Sequence, residues 1–308
     1  MRIVFMGTPA FAVPSLKILL DNNYPIVGVV TVPDKPAGRG QQISSSAIKQ
    51  FSVGQQLEIL QPEKLNDRAF IEQLQSLKPD LFVVVAFRIL PAEVFTIPKL
   101  GAFNLHASLL PKYRGAAPIN WAIIKGERET GVTTFFLEEK VDTGSMILQA
   151  RVPIKPDETA GELFDKLSEV GAEIVLHTVR LIEMGKAVPK PQDNALASPA
   201  PKIFKEQCKI DWSKSASEVH DFIRGLSPKP CAFTRYGEIM LNVYRSKVVE
   251  NSRTNTPGEI VKADEQLVVS TANGAIEILE IQQEGKKKLS AVEFLRGSRI
   301  TVGERLSP

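Results

Sequence analysis

Cysteine is scarce in this chain: two residues, Cys208 and Cys231, among 308. Two thiols build no disulfide framework, and with three histidines they offer no ligand set at metal-site spacing. Neither a disulfide scaffold nor a metal is expected, and the reducing cytoplasm is the natural compartment. Long apolar runs are missing too. None approaches the roughly 20 residues that cross a bilayer, so no membrane partner is expected. The chain opens on a strand pattern, Arg2–Met6, without a signal peptide's apolar stretch and cleavage site. Neither charge dominates: a net charge of +3 permits a nucleic-acid partner without demanding one. Gly-x-Ser-x-Gly, Walker A, His-Glu-x-x-His and Cys-x-x-Cys are all absent. The first turn, Met6-Gly-Thr-Pro-Ala-Phe-Ala12, lacks the second and third glycines of a dinucleotide fingerprint, which argues against NAD.

What is present is a regular alternation. Ile3–Met6, Ile26–Val32, Leu81–Ala86 and Ala102–Ala107 read as strands, and Val13–Leu20 and Ile71–Leu77 have helical spacing. This order predicts an α/β class with a doubly wound, mostly parallel, Rossmann-like sheet. Thr159-Ala-Gly-Glu162 is a capping box opening a helix that runs to about Met184. Four prolines, Pro189, Pro191, Pro199 and Pro201, then mark a semi-extended linker. Beyond it, Ser215-Ala-Ser-Glu218 and Ser290-Ala-Val-Glu293 cap two more helices. Five short strand patterns between them, Ala232–Arg235, Ile239–Tyr244, Gly258–Val261, Leu267–Ser270 and Ile276–Ile281, predict a small β-barrel. The expected division is 1–188, a linker 189–204, and 205–308.

Chemistry is concentrated in Ala102-Phe-Asn-Leu-His-Ala-Ser-Leu-Leu-Pro-Lys-Tyr-Arg-Gly115. Asn104, His106 and Ser108 alternate, so on a strand they share one face, while Phe103 and Leu105 turn to a core. His177 and His220 lie in helical patterns and read as helix-face or packing residues. Downstream, Val132–Leu137 and Met146–Val152 read as strands joined by a loop holding Asp142-Thr-Gly144. Alone, that tripeptide is an ordinary solvated turn. Beside Asn104 and His106 it gains a use: a carboxylate orients an imidazole and favours its charged form, and an amide NH2 donates to a developing oxyanion. The trio suits attack of an amine on a carbonyl carbon without a covalent enzyme intermediate.

The run Asn104-x-His106-x-Ser-Leu-Leu-Pro111-x-x-Arg114-Gly-Ala-Ala-Pro-Ile119 with Asp142-Thr-Gly144 resembles the folate-dependent formyltransferases. The opening Arg2–Ala12, the loop Pro33-Asp-Lys-Pro-Ala-Gly-Arg-Gly40, and Ile210–Ser213 and Ile223–Pro230 are similar to the tRNA-acting branch. The resemblance thus covers nearly the whole chain. It implies an OB-like C-terminal barrel that binds tRNA, 10-formyltetrahydrofolate as co-substrate, and the α-amino group of initiator methionyl-tRNA as acceptor. It further implies Asn104, His106 and Asp142 as catalytic residues, with Ser108, Leu109, Leu110 and Pro111 lining the folate pocket. Phe87, Arg88 and Ile89 belong to a loop similar to the one bordering the pterin ring. Here that loop, Val85-Ala-Phe-Arg-Ile-Leu-Pro91, is shorter and carries Arg88, where many relatives have Ala-Tyr-Gly and one more residue before the Leu-Pro.

For tRNA, Arg39 between two glycines is the leading candidate, with Lys35 in the same loop; read alone, this is a flexible surface loop. Lys112 and Arg114 either meet the acceptor end or pair structurally. Residues 205–308 hold 16 Lys+Arg against 14 Asp+Glu, so only clustering could make a basic surface, and Lys286-Lys287-Lys288 is the one dense run. Rival functions are a formyltransferase for a small amine, a hydrolase releasing formate from formylated folate, and a non-catalytic RNA-binding protein. A monomer is expected.

Overall fold

The computed structural model describes residues 1–37, 42–250 and 256–307. Ile3–Gly7 (β1) is buried along its whole length within a seven-stranded sheet. In chain order there follow α1 (Val13–Asp21), β2 (Ile26–Val30), a hairpin of β3 (Lys35–Ala37) and β4 (Gln42–Ser44), α2 (Ala47–Gly54), β5 (Ile59–Leu60), α3 (Arg68–Ser76), β6 (Leu81–Val85) and α4 (Ala92–Phe95). Then come β7 (Ala102–His106), α5 (Pro118–Ile124), β8 (Glu129–Phe136), β9 (Met146–Pro153) and α6 (Ala160–Glu183). The sheet order is β5-β2-β1-β6-β7-β8-β9. The first five are parallel, and β8 runs antiparallel to β7. The mostly parallel, doubly wound sheet is therefore present.

Strand order proceeds outward from β1 both ways, toward β5 through β2 and toward β7 through β6. It reverses beside β1, and such a switch point opens a crevice beyond the strand carboxyl ends. The turns after β1, β6 and β7 all leave the sheet at that edge. On one face Val4, Met6, Phe82, Val84 and Ala102 pack with Phe70, Leu74, Leu90 and Val94. On the other, Leu105 fits so closely to α6 that a Cβ on Gly171 would lie 2.7 Å from its Cδ2.

The chain divides into two compact units that are not contiguous in sequence. One comprises Met1–Gly115, Gly131–Val152 and Phe164–Pro199; the other comprises Ala116–Thr130, Pro153–Leu163 and Ala200–Pro308. In the second unit α7 (Ala216–Leu226) precedes β10 (Ala232–Tyr236), β11 (Ile239–Val249), β12 (Ile260–Ala263), β13 (Leu267–Ser270), β14 (Ala275–Gln283), β15 (Leu289–Ser290) and α8 (Ala291–Gly297). The strands form an antiparallel sheet of order β10-β11-β14-β13-β12, with β15 on β14. The C-terminal segment joins the two ends of that path: Ser307 bridges Arg235 of β10, and Arg305 bridges Glu259 next to β12. Among the described residues the strand path itself stays open, so the sheet is consistent with the expected barrel without completing it. Its core includes Ile210, Trp212, Ile223, Leu241, Val243, Val269, Ile278 and Ile281. Both thiols are buried here, and burial pushes Cys231 up to about 11.

The proline-rich stretch read as a linker is hydrogen-bonded rather than free. Lys190 exchanges backbone bonds with Met146, and the Arg114 amide donates to Ser198 O. Helices α2 and α5 were not evident in the sequence, and β11 runs five residues past its expected end at Tyr244.

All three expected capping boxes form. At the start of α6 the Thr159 amide and hydroxyl donate to Glu162 Oε2 at 2.8 and 2.9 Å, and Arg245 pairs with Oε1. Burial alone would raise the Glu162 carboxyl. The Thr159 amide, the Arg245 guanidinium and the Thr159 hydroxyl outweigh it and hold the group at about 2, against an ordinary 4.5. A depressed folded-state value means stability that is present above the unfolded value and lost as pH falls through the folded one. Wild type should therefore lose its advantage over Glu162→Gln as pH drops from 4.5 toward 2. Thermal midpoints of the two proteins measured across that range test this; a constant gap would contradict it.

Candidate active site

Strand β7 supplies the first two groups. It lies between β6 and β8, with Asn104 opposite Val84 on one side and Phe135 on the other. The alternation expected from the sequence holds: Phe103 and Leu105 are buried, and Asn104 is half-buried. Among the described residues the Asn104 carboxamide has no hydrogen-bond partner, so its NH2 can donate to an incoming oxygen. His106, two residues on and about 7 Å along the same face, is buried, and its Nε2 lies 2.8 Å from Tyr113 O. A carbonyl only accepts, so Nε2 carries a proton and Nδ1 is the nitrogen left for chemistry. Nδ1 faces Asp142 Oδ2 at 3.8 Å. That is too long for a hydrogen bond and close enough for direct electrostatic contact. The structure thus brings His106 and Asp142 together, with Asn104 two residues before His106 on the same strand.

Asp142 is held from two sides. The Gly115 amide donates to its Oδ2 at 2.9 Å, and Gln192 Nε2 donates to its backbone oxygen at 2.9 Å. Its φ is +54°, in the left-handed region that favours glycine. Gly144, two residues on, has no room for a side chain: a Cβ would stand 1.7 Å from Phe136 O.

The segment after β7 is fixed by side chains from β8 and β9. Thr133 Oγ1 donates to Ser108 O and accepts from the Leu110 amide, and Gln149 Nε2 donates to Leu110 O. Ser108 is fully buried with its hydroxyl on Lys112 O at 2.6 Å, a turn-closing role. Leu110 is buried, Pro111 follows a cis bond, and half-buried Leu109 packs against Gly131. After β6, Phe87 packs against the core, and Arg88 donates to Pro62 O and Glu63 O. Burial lowers the Arg88 guanidinium below its ordinary value. Ile89 is 72% exposed, and among the described residues the backbone groups of Phe87, Arg88 and Ile89 make no hydrogen bond. This loop therefore offers backbone polar groups and one apolar side chain to a ligand.

Of the nucleic-acid candidates, Arg39 lies outside the described residues. Lys35 is exposed at the start of β3, and the hairpin's base is anchored by Lys49 on Asp34 and Gln61. Lys112 is exposed. Arg114 is engaged: its Nε and Nη2 donate to Gln192 Oε1 at 3.1 and 2.7 Å, and Nη2 also donates to Asn194 Oδ1. Lys286 and Lys287 are exposed, while Lys288 pairs with Glu280. His177 is exposed on α6. His220 is buried beside Ser246, with burial lowering its pKa. Sequence reasoning missed Thr133, Gln149 and Gln192. The polar trio Gln192-Asp-Asn194 inside a proline-rich stretch was the available signal for the last. Among the described residues no group of His, Cys, Asp and Glu could hold a metal ion.

Two family models match the chain, formyl transferase over residues 1–179 and the formyl transferase C-terminal domain over 202–299. It is 47% identical over 302 residues to the methionyl-tRNA formyltransferase of Flavobacterium johnsoniae, covering 96% of both chains. It is 48% identical over 311 residues to that of Bacteroides fragilis, covering 98% of this chain and 96% of the relative. Among solved structures it is similar in fold to WlaRD, a sugar 3N-formyl transferase determined with dTDP and 5-N-formyl-THF. The TM-score is 0.68 at 22% identity, covering 93% and 99% of the two chains.

Proposed function

The chain belongs to the formyl transferase family, and on that premise we propose how its residues move a formyl group from 10-formyltetrahydrofolate to the α-amino group of initiator methionyl-tRNA. The observation that carries the proposal is the Nδ1 side of His106 facing the Asp142 carboxylate, on the strand that also carries Asn104, whose carboxamide has no hydrogen-bond partner among the described residues. The co-substrate supplies an activated formyl carbon. We assign its ring to the loop after β6, which exposes Ile89 and backbone groups that make no hydrogen bond among the described residues. The leucines and Pro111 of Ser108–Pro111 border it.

Asn104 donates to the formyl oxygen as negative charge develops there. His106, oriented by Tyr113 O, presents Nδ1 to the same space. Asp142 accepts the proton released by the attacking amine, and that proton is then available to the departing folate nitrogen. Ser108 is excluded as a nucleophile by its burial and its bond to Lys112 O. For tRNA we assign Arg39, Lys35, Lys112, Lys286 and Lys287 as phosphate or base contacts. Arg114, also considered for this, is assigned instead to holding the site. Folate chemistry is assigned to 1–188 and tRNA binding to 205–308; of the stretch 189–204 between them, residues up to Pro199 belong to the first unit. Among the described residues no helix is long and apolar enough to cross a membrane. We place the protein in the cytoplasm, where charged initiator tRNA is made, and as a monomer, since one chain supplies every group in the site.

The test is a formyl-transfer assay with charged initiator methionyl-tRNA, free methionine and a no-acceptor control. Formyl should appear only on the charged tRNA. In the same assay Asp142→Asn should lower kcat roughly 100-fold or more, the usual scale for a lost general base. Folate consumed without acceptor would instead identify a hydrolase, and full activity of Asp142→Asn would remove the proton-transfer role.

A further inference from the structure

We propose that Gln192 is a positioning residue for this reaction, setting the place of Asp142 from within the proline-rich stretch. The inference rests on Asp142 acting as proposed above. The Gln192 carboxamide has two N–H donors and two acceptor lone pairs, and all four are committed. Nε2 donates to the backbone oxygens of Asp142 at 2.9 Å and Gly144 at 2.8 Å. Oε1 accepts both Nε and Nη2 of Arg114. The side chain is therefore a rigid bridge between the segment after β7 and the loop that carries the carboxylate. Asp142 needs such a bridge. Its left-handed backbone is one that non-glycine residues keep only when their surroundings impose it. Among the described residues its carboxylate receives one hydrogen bond, from the Gly115 amide, on the oxygen that faces His106. Without Gln192, the carbonyls of Asp142 and Gly144 lose the donor that holds them, and the carboxylate is free to drift from His106.

No other side chain of this length can do both jobs. Glutamate would still receive Arg114, but would turn an oxygen toward two carbonyl oxygens. Methionine fills the space and bonds to neither side. This predicts the pattern of effects. Misplacing a reacting group by about 1 Å costs on the order of 100-fold. Gln192→Met and Gln192→Glu should therefore both lose roughly 10- to 100-fold in kcat, with KM for folate and tRNA nearly unchanged.

A double-mutant cycle with Asp142→Asn gives the decisive reading. If Gln192 acts through Asp142, adding Gln192→Met to Asp142→Asn causes no further loss. Full activity of Gln192→Glu would overturn the proposal, because anchoring Arg114 would then be all the residue does. Additive losses in the cycle would overturn it as well, as would a kcat loss that tracks lower melting and raised KM. Asp142→Asn alone tests the underlying reading: if that variant is fully active, a large effect of Gln192→Met shows that Gln192 does not work through Asp142, and no effect shows that it positions nothing the reaction needs.

Discussion

Asn104→Ala should lower kcat for formyl transfer by 100- to 1,000-fold, with small changes in KM and in the thermal midpoint. The size follows from removing one preorganised donor from a developing oxyanion, typically about 3–4 kcal/mol of transition-state stabilisation. The selectivity for kcat follows from where the residue sits. Its backbone is locked between β6 and β8, so the truncated side chain cannot be replaced by a shift of the strand. Its carboxamide is half-buried and has no hydrogen-bond partner among the described residues, so its removal leaves no bonded neighbour unsatisfied. Asn104→Asp is the sharper variant. It is similar in size, but a carboxylate only accepts and places negative charge where negative charge must grow, so it should be at least as damaging as alanine. The measurement is steady-state formylation of charged initiator tRNA at saturating folate. An Asn104→Asp enzyme with near wild-type kcat would mean that the oxyanion is stabilised elsewhere.

A comparable loss is expected from Gly144→Ala, for a steric reason. The added methyl would stand 1.7 Å from the oxygen and 2.9 Å from the carbon of the Phe136 carbonyl. Phe136 cannot retreat: it pairs with Phe103 on β7, and its amide donates to Ser145 O at 3.0 Å. The loop must yield instead, carrying Asp142 with it and breaking the bond from Gln192 to Gly144 O. An ångström of displacement at a reacting group is worth about 100-fold. Strain of this kind also lowers stability, so the melting temperature should fall by several degrees. Thr143→Ala serves as the control. Among the described residues its hydroxyl bonds only Lys140 O on an exposed turn, and its loss should leave activity within about twofold of wild type, as for a surface substitution. If Gly144→Ala were as active as Thr143→Ala, the Asp-Thr-Gly segment would be the ordinary solvated turn that it resembles in isolation.

Local features were readable from sequence, and long-range partnerships were not. The strand at Ala102–His106 and the face carrying Asn104 and His106 were visible because its two faces differ in polarity, which period-two alternation reports directly. The capping boxes at Thr159, Ser215 and Ser290 were visible because each is closed by bonds three residues apart. Strand β11 outruns its sequence signal because its pairing with β14 shifts register between Val243 and Ser246, and a bulge interrupts alternation. Helices α2 and α5 are short, and burial rather than propensity stabilises them. The hold on Asp142 joins residues 27 and 50 positions away, and no local pattern encodes that. Arg114 shows the same limit. Its sequence neighbours leave tRNA contact and structural pairing equally open, and its bonds to Gln192 and Asn194 join residues 78 and 80 positions away, which no local pattern encodes.

Helix α5 also bears on how the chain is made. Ile119, Ala122 and Ile123 are buried, Asn120 donates to Gly225 O, and Gly225 on α7 fits closely against Ile124. During synthesis at about 5–20 residues per second, α7 follows α5 by roughly 5–20 seconds. For that interval an apolar helix face is outside the ribosome with its partner unmade. The nascent chain is then a natural client for chaperones, and a product terminated just before α7 would carry that face permanently exposed.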